Sequence, residues 1–130
     1  MRNPIQLKGK KMKLEKIIKI LDAEILCSNE DSFNTNIVIG CGSDLMSDVL
    51  AFIQPGTFLL TGLTTPQVIY TAENAGVKVV CFVRGKKPSK ETVEMAMAKK
   101  ITLLATKFLM FESCGKLYKN GLIGHFDYEK

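Results

Sequence analysis

The sequence predicts a single compact α/β domain, a mainly parallel sheet with helices on its faces. Three observations carry that prediction. Short β-branched runs alternate with amphipathic stretches of roughly ten residues, the pattern of βα units on a parallel sheet. One run, Val77–Val83, is almost continuously apolar, as a strand covered on both faces must be. The length of 130 residues, 46% hydrophobic and 24% charged, suits one globular core and is too short for two full-sized ones.

The elements follow in order. Leu14, Ile17, Ile18 and Leu21 recur at helical spacing, which predicts a helix over Met12–Asp22. Ala23–Cys27 reads as a short strand and Ser28–Asn34 as a polar turn. Asn36–Gly40 is a β-branched strand running into a Gly40-Cys41-Gly42 loop, with Ser43 set to cap the next helix. Leu45, Met46, Val49 and Leu50 give that helix its apolar face, and Gln54-Pro55-Gly56 stops it.

Thr57–Thr61 is the next strand, and Thr65-Pro66 opens a helix with a hydroxyl at the N-cap and proline in the first turn. That helix ends at Gly76 and leads into Val77–Val83. Gly85–Pro88 is a turn, and Ser89 caps a helix through Met97. Ile101–Leu104 is a strand, Thr106 precedes a last helix through Lys119, and Asn120-Gly121 ends it.

Charge is uneven. The net +5 resides in residues 1–19, where seven bases face the single acid Glu15; the rest of the chain holds eleven bases and twelve acids. A nucleic-acid-binding body would carry its own basic stripe. The expectation is therefore a flexible basic arm over 1–11, a near-neutral domain over 12–122 and a polar tail over 123–130, with no nucleic-acid partner. No apolar run approaches the ~18–20 residues of a membrane span, and no cleavable leader is visible, so a cytoplasmic protein without a membrane partner is expected.

Cys27, Cys41, Cys81 and Cys114 lie at least fourteen residues apart, which does not match a zinc ribbon or a dithiol redox centre. No cofactor and no metal is expected. Cys41, flanked by glycines before a predicted helix start, is the one thiol placed for activation. A cysteine nucleophile also needs a base, and His125, the single histidine, lies in the polar C-terminal stretch. Neither residue reads as catalytic, and the chain is not expected to be an enzyme.

Four segments together resemble a known family: Gly42-Ser43-Asp44-Leu45-Met46-Ser47-Asp48-Val49-Leu50, Thr57-Phe58-Leu59-Leu60-Thr61-Gly62, Val79–Pro88, and Ile101–Thr106 followed by Phe108 and Phe111. In order and spacing they resemble the DRTGG domain, which is similar to the N-terminal domain of HPr kinase/phosphorylase. The literal Asp-Arg-Thr-Gly-Gly string is absent, and Val83-Arg84-Gly85 stands where relatives have a Thr/Asn-Gly turn. No phosphate loop of the G-x-x-x-x-G-K-[ST] kind is present. The resemblance implies a non-catalytic regulatory or assembly domain, often a homodimer, that docks on a metabolic or signalling enzyme.

In a parallel α/β sheet the loops after the strands converge on one edge. The residues expected there are Ser43, Asp44, Thr61, Gly62, Thr64, Thr65, Arg84, Gly85 and Thr106, with Lys86 and Lys107 beside them. Hydroxyls, helix N-termini and basic side chains in one crevice suit a small anionic ligand; by family analogy an adenine nucleotide is the first candidate. Helix capping alone also accounts for the hydroxyls. Exposed apolar residues on the helices near Leu45–Ile53 or Lys107–Tyr118 would instead mark an association surface.

Overall fold

The computed structural model describes residues 9–128. A two-residue strand β1 (Met12–Lys13) leads into helix α1 (Leu14–Leu21), which stops at Asp22 in a left-handed conformation. Strand β2 (Glu24–Cys27) and a 3-10 turn at Ser32–Asn34 follow. The β-branched run expected over Asn36–Gly40 divides in two. Its first half, β3 (Asn36–Ile37), pairs with β1, and the chain then enters β4 (Gly40–Gly42) in the main sheet.

Helix α2 (Met46–Phe52) and strand β5 (Phe58–Thr61) come next. Helix α3 (Pro66–Ala75) ends in a left-handed Gly76, followed by β6 (Val79–Phe82). Helix α4 (Lys90–Ala98) is capped by Ser89, whose Oγ accepts from the Thr92 N–H, as its spacing predicts. Strand β7 (Thr102–Ala105), helix α5 (Met110–Lys119) and a four-residue helix α6 (His125–Tyr128) complete the chain.

The main sheet has the order β2-β7-β6-β5-β4. Strands β4 to β7 are parallel, while β2 runs antiparallel on the outside of β7. Every residue of β5, β6 and β7 is buried. Strand alternation divides them between two cores. Phe58, Leu60, Val79, Cys81 and Leu104 pack with α1 and α5; Leu59, Val80, Phe82 and Leu103 pack with α2, α3 and α4. The result is a three-layer α/β/α domain, which is the predicted class.

The ordered chain continues past Leu122. Ile123 is buried and forms a parallel bridge with Ile39, and its carbonyl accepts from the Gly40 N–H. At the other end, residues 1–8 of the basic arm lie outside the described residues, and Gly9 packs against Val38 and Ile123.

Burial pushes the Cys81 thiol up to about 12. A raised value means that the fold prefers the neutral thiol. Its stabilisation is complete below the ordinary thiol value and is lost as pH rises through that value toward 12. Thermal midpoints measured from about pH 8 to about pH 11 should therefore fall more steeply in the native protein than in Cys81→Ala. Equal slopes would show that this thiol does not contribute.

Candidate functional site

The strand ends bring most of the expected residues together. Asp44 follows β4 and reaches across to β5: its Oδ1 accepts from the Gly62 N–H at 2.6 Å and from the Thr61 hydroxyl at 3.2 Å. The Thr61 hydroxyl in turn accepts from the Leu63 N–H. Arg84 turns left-handed at φ 66, followed by Gly85 at φ 69. Backbone bonds from Arg84 N–H to Phe108 C=O and from Gly85 N–H to Thr106 C=O hold that turn. Its guanidinium lies over Gly62, where a Cβ would come within 2.8 Å of Nη2.

Several expected roles change. Ser43 does not cap a helix: its Oγ accepts from Leu45 N–H in a tight local turn, and α2 starts only at Met46. Thr65 occupies the N-cap of α3 without a side-chain bond, so proline in the first turn acts there without the hydroxyl. Thr64 is half-buried and brings no polar contact to the crevice. Thr106 lies inside the protein, 2% exposed, and its hydroxyl donates to the Leu21 carbonyl at 2.6 Å. Lys107 reaches toward Asp22 at 3.9 Å, and Lys86 is exposed.

Among the described residues the crevice has one well-placed cation, Arg84. The Gly62 N–H that an anion would seek is already bound by a carboxylate. Asp44→Ala should leave that buried N–H without its acceptor and cost about 1–3 kcal/mol. Denaturant unfolding would read the loss, and Asp44→Asn, which keeps an acceptor oxygen, should recover most of it.

Gly40-Cys41-Gly42 is a strand and not a phosphate-cradling loop. It pairs with β5 in register Gly40↔Phe58, Cys41↔Leu59 and Gly42↔Leu60. Its glycines serve packing. A Cβ at 40 would meet Leu122 at 2.8 Å, and one at 42 would meet Cys114 Sγ at 2.6 Å and Met110 Sδ at 2.8 Å. Cys41 sits in this strand, and its thiol is raised by burial, then by the neighbouring Cys114 and by Asp48. Those influences oppose a reactive thiolate at neutral pH. Among the described residues no group of three His, Cys, Asp or Glu is arranged to hold a metal.

An apolar cavity lies elsewhere, beside β4 and against α5 and α6. It measures about 470 Å³ and is floored by Gly40, Gly42, Leu60 and Leu122. Phe111, Tyr118 and Phe126 stand around it. Phe111, on the Lys107–Tyr118 segment where exposed apolar residues would mark an association surface, is 86% exposed. The participation of Phe126 and His125 was missed, because a four-residue helix after a glycine has no periodicity to detect. No helix among the described residues is long and apolar enough to cross a membrane.

Comparison with known proteins agrees with this architecture. The DRTGG domain profile matches residues 16–118. Among solved structures the chain is similar to the CBS and DRTGG domains of the regulatory region of Clostridium perfringens pyrophosphatase, a structure complexed with the activator diadenosine tetraphosphate. The TM-score is 0.71 at 20% sequence identity, over 85% of this chain and 48% of that one, which establishes a shared fold. This chain therefore spans about half the length of that regulatory region. No curated protein matches it. With most of its length matched and the predicted α/β architecture in place, the chain belongs to the DRTGG domain family.

Proposed function

We propose that this protein is a non-catalytic regulatory and assembly domain that acts by self-association and by docking on a partner enzyme. The observation that carries the reading is the surface flanking β4. Leu45, Leu50 and Phe52 on one side and Phe111, Tyr118 and Phe126 on the other are exposed large apolar side chains. A monomer tolerates such residues singly, and a contiguous cluster marks an interface. The similar DRTGG domain belongs to the regulatory region of an enzyme, which supports the regulatory part of the reading. Four free thiols fit a reducing, cytoplasmic setting. Native mass spectrometry of the full chain tests the reading: a homodimer is expected, and a monomer at high micromolar concentration would sink self-association.

One observation favours a second reading, a sensor of a small anionic ligand such as an adenine nucleotide. The Arg84-Gly85 turn is held by one backbone bond from each residue, with the Arg84 guanidinium over Gly62 at the strand C-terminal edge. The similar structure carries a dinucleotide activator, which supports nucleotide as the class to try first. The same mass measurement with added adenine nucleotides should then show a bound mass that Arg84→Ala loses. An adduct of equal strength in the variant would remove Arg84 from the site.

A further inference from the structure

The two outer strands of the sheet are finished differently. At β2 the ladder carries a bulge between Ile25 and Cys27, and Glu24 is ion-paired with Lys87 at 2.8 Å. Bulges and charges are how an outer strand resists pairing with another chain. At β4 there is neither. Its start is covered by Ile123, and beyond that the edge opens into the cavity under α5 and α6.

We propose that this cavity is the association face for a second copy of the chain, with Phe111 and Phe126 of each copy closing over the cavity of the other. The proposal rests on the self-association reading and assigns it a place. A concave apolar cleft and two projecting rings lie on the same surface, so a two-fold axis brings ring to cleft twice. That is the self-complementarity an isologous contact requires. Among the described residues the lining contains one charged side chain, Asp127, and no Lys or Arg. Such a lining offers little to an anion and loses little when an apolar surface enters it.

Area supports the same occupant. Phe111 is 86% exposed, Phe126 80% and Tyr118 54%. At the roughly 200 Å² an aromatic side chain can bury, these rings alone expose about 400–450 Å². A standard interface buries about 800 Å² on each partner, so the rings supply about half of it. The second cleft, lined by Phe52 and Ile53, shares Gly40, Cys41, Gly42 and His125 with the first and carries the apolar surface round the strand edge.

Sedimentation velocity on the full chain, over a concentration series, tests this. The native protein should be a dimer. Phe111→Ala and Phe126→Ala should each raise the dimer dissociation constant by about 10–30-fold, the effect of truncating an interface anchor. Both rings stand in solvent, so circular dichroism should be unchanged. Ile25→Ala, an exposed apolar residue on the opposite edge, should leave the dimer intact. A native dimer that neither phenylalanine variant weakens would overturn the assigned face while leaving self-association standing elsewhere. A native monomer would overturn the face and the self-association reading together.

Discussion

Phe58→Ala should destabilise the protein by about 3–5 kcal/mol, as removal of a fully enclosed phenylalanine does. Phe58 is 0% exposed, lies opposite Gly40 on β4 and Val79 on β6, and packs into the core shared with α1 and α5. Against a total stability of about 5–15 kcal/mol, the loss is a large fraction of the whole. A thermal midpoint lower by about 10–20 °C is the expected reading for a domain of this size. Phe58→Leu, which restores most of the volume, should recover much of that loss. A midpoint unchanged in Phe58→Ala would mean that its assignment to the core under α1 and α5 is wrong.

Thr106→Val should cost about 1–3 kcal/mol even though valine matches threonine in shape. The hydroxyl donates to the carbonyl of Leu21, the last residue of α1, and accepts from the Phe108 N–H. It links the end of the first helix to the turn that enters the last one. Valine leaves both backbone groups short of a partner in a site with 2% exposure. Thr106→Ser keeps the bonds and should lose much less. Urea midpoints of the three proteins decide the matter. The prediction separates a structural threonine from a ligand-binding one, because the structural role costs stability in the absence of any ligand.

The sheet was legible in the sequence wherever pattern and burial coincide. Val79–Val83 announces a buried strand because its five consecutive apolar residues leave nothing polar on either face. Ser89 announces a helix start because its hydroxyl spacing to Thr92 is the capping distance. Gly40-Cys41-Gly42 misleads for a physical reason. Glycine favours turns through its backbone freedom, yet here it is required because Leu122, Met110 and Cys114 pack where side chains would stand. That demand comes from residues some seventy positions later and leaves no local trace.

The strand-end crevice was legible as a location and not as chemistry. A parallel topology dictates that Asp44, Thr61, Gly62 and Arg84 meet. It does not dictate that Asp44 takes the Gly62 N–H, or that Thr106 turns inward to Leu21. The apolar cleft was half legible. Exposed aromatics on α5 were foreseeable as core or interface, but α6 is too short to show a period.

The antiparallel seating of β2 on β7 also sets a timetable for synthesis. Glu24 and Ala105, which pair across these strands, are 81 positions apart. At a ribosomal pace of about 5–20 residues per second, β2 waits about 4–16 s for its neighbour in the main sheet. During that interval β4, β5 and β6 are completed and can pair with one another, while β2 still lacks its strand partner. A nascent chain stalled before residue 102 would carry β2 with its backbone unpaired on the side that β7 later covers, a segment open to capture by a chaperone.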